Sequence, residues 1–225
     1  MGKALQKHLI IFTRLPCPGR NKTRLIPALG AEGAAKFHDR LARHTFGLAS
    51  AFCRKDAELK LIVRLDGGTP EEGRDWLGEC DIREQGGGDL GERLDRAVNE
   101  SFLEGAQQVV IIGTDCPELD ERILEDAFEA LQTHPVVFGP ACDGGYYLIG
   151  LSAPCPAVFQ SIAWGGPEVL RQSLAASPGA HLLETLPDVD LPEDLPAAMN
   201  VLGHDLEPSS TEQFFRSPNY QFPKP

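Results

Sequence analysis

Residues 107–117 read Gln107-Gln108-Val109-Val110-Ile111-Ile112-Gly113-Thr114-Asp115-Cys116-Pro117. Four consecutive β-branched apolar residues without alternation describe a strand buried on both faces, the pattern of a mainly parallel sheet covered by helices. Pro117 ends the strand and leaves the Asp115 carboxylate at its exit. Working outward, short apolar runs recur at His8 to Thr13, Leu59 to Leu65 and Pro135 to Gly139, with weaker ones at Tyr146 to Leu151 and His181 to Leu186.

Between these runs the apolar period changes to that of helices. Ala31 to Cys53 places Phe37, Leu41, Thr45 and Leu48 on one face, and Asp89 to Gly105 does the same with Leu90, Leu94, Ala97, Val98 and Phe102. A third helix over Leu119 to Thr133 carries Ile123, Leu124, Ala127, Phe128 and Leu131. Strand, helix and strand alternate, which predicts an α/β fold with a mainly parallel sheet flanked by helices, in one domain over residues 1–206. From Glu207 to Pro225, four prolines and three serines interrupt regular structure, yet Phe214, Phe215, Tyr220 and Phe222 are too apolar for a solvated tail. That segment is expected to pack as an extended arm on its own core or, in a homodimer, on a neighbour.

The chain has 225 residues, 42% of them hydrophobic, and 21 Lys and Arg against 33 Asp and Glu, a net charge of −12. This balance excludes nucleic acid or an anionic membrane as the main partner. The first 31 residues carry six cations and no acid, which leaves 15 cations against 33 acids in the rest and admits a small anionic ligand near the N-terminus. No apolar run approaches the ~20 residues of a membrane span, and the start of the chain lacks a secretory pattern, so a cytoplasmic location is expected. Six cysteines without metal-ligand spacing read as free thiols. The six histidines form no HxH or HExxH pair and no serine sits in GxSxG, so metalloprotease and serine-hydrolase chemistry lack their starting residues.

Five segments could carry chemistry. Directly after the first strand, Thr13-Arg14-Leu15-Pro16-Cys17-Pro18-Gly19-Arg20-Asn21-Lys22-Thr23-Arg24-Leu25 holds four cations and no acid. A loop at a strand's carboxyl end is well placed for phosphate oxygens, and such uncompensated charge argues against a merely solvated turn. It is not a P-loop, because Pro16 and Asn21 stand where that motif needs glycines. In the second segment, Asp115 facing a phosphate site calls for a hard divalent cation between them, or else it caps the helix beginning near Leu119; the two readings are even. In the third, Asp143-Gly144-Gly145 makes a hairpin turn, with Gly144-Gly145 open to close approach by a ligand and Asp143 offering an acceptor or base. In the fourth, Asp190 with Pro192 reads as a helix N-cap, and capping alone explains it. The fifth, Gln85-Gly86-Gly87-Gly88-Asp89, is a glycine loop entering a capped helix, more a linker than a site.

Pro18-Gly19-Arg20 with Lys22-Thr23-Arg24-Leu25, Gly88-Asp89-Leu90-Gly91-Glu92-Arg93, Gly113-Thr114-Asp115-Cys116-Pro117, Gly139-Pro140 with Asp143-Gly144-Gly145-Tyr146, and Asp188-Val189-Asp190 with Pro192-Glu193-Asp194-Leu195 occur in this order. Together they resemble the bacterial glycosyltransferase-A-like family of uncharacterised transferases in the nucleotide-diphospho-sugar transferase superfamily, near 2-phospho-lactate guanylyltransferase. The resemblance spans residues 8–203. It implies a Rossmann-like sheet and a transferase, either nucleotidyl or glycosyl, that uses Mg²⁺ or Mn²⁺, a nucleoside triphosphate or nucleotide sugar, and a small-molecule acceptor. It also implies that Arg14, Gly19, Lys22, Arg24 and Gly88 bind the nucleotide, that Lys22, Asp115 and Asp143 are catalytic, and that Asp115 and Asp190 hold the metal.

Two departures bear on this. Sugar transferases of the fold show an Asp-x-Asp pair, where this chain has Thr114-Asp115-Cys116, and Trp164 is followed by Gly165-Gly166 in place of a hydroxyl residue. The single carboxylate motivates an alternative, a non-catalytic nucleotide-binding or regulatory protein of the same fold. Two structural expectations follow: Asp115 and Asp190 lie close enough to share one ion, and the Lys22 side chain is exposed in the free protein, so that Lys22→Ala spares the fold.

Overall fold

The strand Lys7–Arg14 (β1) lies inside a seven-stranded sheet in a computed structural model that describes residues 6–202. Leu59–Asp66 (β2) pairs with it on one side and carries Asp81–Glu84 (β3) at the edge, while Gln108–Ile112 (β4) pairs with it on the other. All of these pairings are parallel. Beyond β4 come Tyr146–Leu151 (β6), then Val136–Pro140 (β5), then His181–Leu182 (β7), giving the order β3-β2-β1-β4-β6-β5-β7. Only β6 runs against the rest, antiparallel to both β4 and β5. The expected α/β fold with a mainly parallel sheet is therefore the fold observed.

The pleat of β1 divides its side chains between two cores. Leu9 and Ile11 join Ile123, Leu124, Ala127 and Phe128 of Glu121–Ala130 (α4), Ala42, Ala49 and Phe52 of Ile26–Cys53 (α1), and Trp76 of Pro70–Leu77 (α2). Ile10 and Phe12 face Leu94, Ala97 and Val98 of Leu90–Leu103 (α3) and Leu170 and Leu174 of Val169–Ala175 (α5). A third cluster joins Phe37 and Leu41 of α1 to Val189 and to Ala198 of Leu195–Leu202 (α6). Each fully buried Leu or Ile in these layers contributes about 1.5–3 kcal/mol over an exposed one.

Local chemistry sets the helix ends. Thr69 and Asp89 each form a reciprocal capping box with the glutamate three residues on, Glu72 and Glu92. Asp120 caps α4 by accepting the Ile123 amide at 2.9 Å. Helix α1 starts at Ile26, five residues before the expected Ala31, and it kinks at Gly30, whose φ of 71° lies outside helical space. The strand expected over His181 to Leu186 is only two residues long. After it, the amides of Leu183 and Leu186 still reach the carbonyls of Phe138 and Pro140, but the Glu184 carbonyl turns to accept the Tyr147 hydroxyl and breaks the ladder. Strand β3 and helices α2 and α5 were not expected from the sequence. Among the described residues no helix is long and apolar enough to cross a membrane. The proposed arm over residues 207–225 lies outside the described residues.

After β1 the chain moves to β2 on one side, and after α3 it returns to β4 on the other. The carboxyl ends of β1 and β4 thus flank the point where strand order reverses, where open α/β sheets form their crevice.

Candidate active site

A cavity of about 640 Å³ opens at that crevice. Of the residues singled out from the sequence, Arg14, Lys22, Arg24, Gly88, Asp115, Asp143 and Asp190 line it. Gly19 does not. It is exposed, with φ of 79°, and serves the turn that brings Arg20 and Lys22 round.

The loop after β1 is braced from within. The Cys17 amide donates to Asn21 Oδ1 at 2.5 Å, the Arg20 amide donates to the Cys17 carbonyl at 3.0 Å, and Asn21 is buried. Lys22 follows in the left-handed region, at φ 46° and ψ 48°. A non-glycine residue in that region costs on the order of 1–3 kcal/mol and persists where the surroundings enforce it. Here the enforcement is polar: Lys22 Nζ lies 2.7 Å from Asp115 Oδ1 and donates to the Val189 carbonyl at 2.5 Å. The Lys22 side chain is 7% exposed, which overturns the expectation that it is free in the ligand-free protein.

Two other cations of the loop are also compensated, by acids from distant segments. Arg24 pairs with Asp190, and Arg14 Nε lies 2.9 Å from Asp66 Oδ2, to which Arg93 also reaches at 3.3 Å. Three of the four loop cations are therefore already paired with acids, contrary to the expectation of uncompensated charge. Among the described residues, Arg20 is the loop cation that lines the cavity without a side-chain partner.

Two plain readings of the acids are also settled. Asp115 does not cap α4, since Asp120 does. Asp190 is not a helix cap either: the Asp194 carboxylate accepts the amides of Asp190 at 2.9 Å and Leu191 at 2.7 Å, while the Asp190 carboxylate turns to Arg24. The Val189 amide donates to the Asp115 carbonyl at 2.9 Å and brings Asp190 beside the exit of β4. Asp115 and Asp190 thus stand in one cavity with side chains 54% and 38% exposed, an all-oxygen donor pair that suits Mg²⁺ or Mn²⁺. Among the described residues no three His, Cys, Asp or Glu side chains gather to hold a metal.

Asp143 accepts the Gly145 amide at 2.8 Å, an Asx turn at the tip of the β5–β6 hairpin. Gly144 does not admit a ligand. A Cβ there would fall 2.1 Å from the Pro167 carbonyl oxygen, so the close approach is to the protein's own backbone. Burial and the nearby Asp143 charge raise the pKa of Asp188 above the ordinary carboxylate value.

Sequence reasoning missed five contributors to this region. His38 lines the cavity and donates through Nε2 to the Arg14 carbonyl at 2.9 Å, and burial lowers its pKa and favours the neutral ring. The buried Gln85 amide donates to the carbonyls of Thr13 at 3.0 Å and Arg64 at 3.1 Å. Arg93 Nε donates to the Gly88 carbonyl at 2.9 Å and Arg96 holds that of Gly87, so the glycine loop is pinned and is no linker. Asp66 joins Arg14 and Arg93. Arg93 lay inside a quoted motif and could have been found; a lone histidine on an apolar helix face gives no such signal.

The sheet order, the switch-point cavity and the carboxylate after β4 define an α/β protein of the nucleotide-diphospho-sugar transferase fold. The chain belongs to the family described as "uncharacterized protein conserved in bacteria" (DUF2064), whose model matches residues 48–166. The match includes Asp115 and Asp143 and leaves the β1 loop outside. No curated protein matches the chain in sequence. Among solved structures it is similar to a candidate nucleotide-diphospho-sugar transferase from Desulfovibrio desulfuricans G20, with 29% identity, TM-score 0.80 and 94% of each chain covered. A CMP:2-keto-3-deoxy-manno-octonic acid synthetase complexed with CTP shares the fold at 12% identity and TM-score 0.56, over 89% of this chain and all of the other. Glucosyl-3-phosphoglycerate synthase from Mycobacterium tuberculosis, solved with Mn²⁺, UDP and glucosyl-3-phosphoglycerate, shares it at 11% identity and TM-score 0.52, over 94% and 78%.

Proposed function

We propose that the protein is a divalent-metal-dependent nucleotidyltransferase that takes a nucleoside triphosphate and a small-molecule acceptor and releases pyrophosphate. The observation that carries this reading is the convergence of Arg14, Arg20, Lys22 and Arg24 from one loop on a cavity that also holds Asp115 and Asp190. Arg20 lines the cavity with no side-chain partner among the described residues and is left to meet phosphate, and the single aspartate after β4 departs from the Asp-x-Asp pair of sugar transferases. The synthetase that shares the fold carries CTP, and the Mn²⁺ of the glucosyl transferase is consistent with a metal at such a site.

In this reading an acceptor oxygen attacks the α-phosphorus, the bond from that phosphorus to the bridging oxygen breaks, and the electron pair leaves with pyrophosphate. No covalent nucleophile on the protein is needed, because the work is positioning and charge neutralisation. Arg20 and the arginines beside it would meet phosphate oxygens. Neutral His38, by holding the Arg14 carbonyl, would fix the end of β1 under them. A divalent cation held by Asp115 and Asp190 would supply Lewis-acid neutralisation of the phosphates. Asp143, held in its turn and lining the cavity, would offer a base for the proton of a hydroxyl acceptor.

Incubation with Mg²⁺ or Mn²⁺, nucleoside triphosphates and a range of phosphorylated and hydroxyl acceptors, with detection of pyrophosphate, tests the proposal. Pyrophosphate release that needs an acceptor supports it. Release of a nucleoside diphosphate from nucleotide sugars would replace it with glycosyl transfer. Tight, metal-independent nucleotide binding with neither product would favour the non-catalytic binding protein.

A further inference from the structure

The ammonium of Lys22 is embedded among oxygens that a metal would need. It touches Asp115 Oδ1 at 2.7 Å and the Val189 carbonyl at 2.5 Å, with its side chain 7% exposed. Asp115 Oδ2 carries no hydrogen bond among the described residues. The same pattern repeats one step away, where Arg24 holds Asp190. Both carboxylates assigned to the divalent cation are therefore already paired with a cation of the β1 loop.

We infer that Lys22 is the resident counter-cation of Asp115 and a positioning residue whose displacement couples metal entry to nucleotide entry; this rests on the nucleotidyltransferase reading above. A dication bound to the Asp115 carboxylate sits about 2.1 Å from its oxygen, so an ammonium on the same carboxylate lies close enough to repel it strongly. The metal gains full access to Asp115 only when Lys22 leaves. Leaving strips a nearly buried ammonium of its anion, which is costly unless another anion receives it. Phosphate is such an anion. When the metal arrives with the nucleotide, Lys22 exchanges a carboxylate oxygen for a phosphate oxygen and the metal takes the vacated carboxylate. Metal alone must displace Lys22 without that exchange. The protein thus favours the metal–nucleotide complex over either component.

The test measures Mn²⁺ binding to the nucleotide-free protein by the loss of the free-ion electron paramagnetic resonance signal, which needs no turnover. Lys22→Gln, which removes the charge at similar length, is expected to tighten Mn²⁺ at least about tenfold over wild type, whereas Lys22→Arg should not. Asp115→Asn in the Lys22→Gln background should abolish the gain. In the same Lys22→Gln protein, binding of a nucleoside triphosphate without metal should weaken. Equal or weaker Mn²⁺ affinity in folded Lys22→Gln overturns the inference, as does a gain that survives Asp115→Asn.

Should Lys22→Gln fail to fold, the wild type still decides the matter by reductive methylation read by mass spectrometry. Lys22 should react slowly in the ligand-free protein and faster at saturating Mg²⁺ alone. Unchanged slow reaction at saturation means that metal and lysine do not compete. Failure of wild type to bind any nucleoside triphosphate with any metal overturns the transferase reading. Nucleotide binding with no effect of Lys22 on the metal overturns only the coupling.

Discussion

Asp39 Oδ1 on α1 accepts the indole N–H of Trp76 on α2 at 2.5 Å, with the aspartate wholly buried. The same oxygen lies 2.8 Å from Arg43 Nε, so one carboxylate ties two helices together on the face that carries β2 and β3. Removing the anion takes this acceptor away from both donors, and losing a hydrogen bond to a charged group costs about 1.5–3 kcal/mol. Asp39→Ala should lower the urea midpoint accordingly with little change in slope, and Asp39→Asn, which keeps an acceptor for the indole, should cost less.

Arg20 offers the opposite case. With no side-chain partner among the described residues, its loss removes nothing from the free protein. Arg20→Ala should leave the melting temperature unchanged and weaken nucleotide binding by about 1.5–3 kcal/mol, roughly ten- to a hundredfold in Kd by calorimetry. Lys22→Ala, by contrast, should also lower stability, because Asp115 and the Val189 carbonyl lose their donor.

Two glycines with positive φ separate strain from collision. Gly19→Ala meets nothing within 4 Å and carries only the backbone penalty, about 1 kcal/mol. Gly144→Ala adds a Cβ 2.1 Å from the Pro167 carbonyl oxygen and should cost about 2–3 kcal/mol or more by thermal unfolding. A similar loss in both variants would show that the hairpin tip yields freely.

Acid should act on a cluster remote from the cavity. Arg83 hydrogen-bonds Asp81 and Glu104 and, with Lys60, holds both carboxyls down at about 2. Carboxylates depressed in the folded state stabilise it above their unfolded pKa near 4, and the gain disappears as pH falls toward 2. Arg83→Met should therefore be destabilising at pH 6 and close to neutral at pH 2, with a difference of no more than about 1 kcal/mol after solvent screening of these half-exposed groups. An equal loss at both pH values would point to packing of the arginine stem.

How far the sequence could be read followed from how local each signal was. β4 was legible because Val109 to Ile112 are all apolar and doubly buried, and α3 because Leu90, Leu94, Ala97, Val98 and Phe102 recur at helical spacing. β3 was not, because an edge strand with Asp81 and Arg83 has no apolar run. Within the site, the cations of the β1 loop and the acids Asp115 and Asp190 stood out, but their pairing with one another did not. Arg24 and Asp190 are 166 positions apart, and only the fold makes them neighbours. Asp190 was misread as a cap because Asp194, four residues on, fits the same local pattern and takes the role itself.

The lone reversed strand divides the molecule by folding order. β5 and β6 close on each other through a five-residue turn, 141–145, and need only local search, whereas Lys7 on β1 must find Gln108 across three intervening crossovers. The cavity lies along the second seam and also needs the late segment at Val189, so it takes shape only when the most distant pairings have formed. A ligand that binds there meets only chains that have completed that search. At a hundred times its Kd it would deepen the native basin by about 2.7 kcal/mol, acting as a latch on the slowest part of the fold.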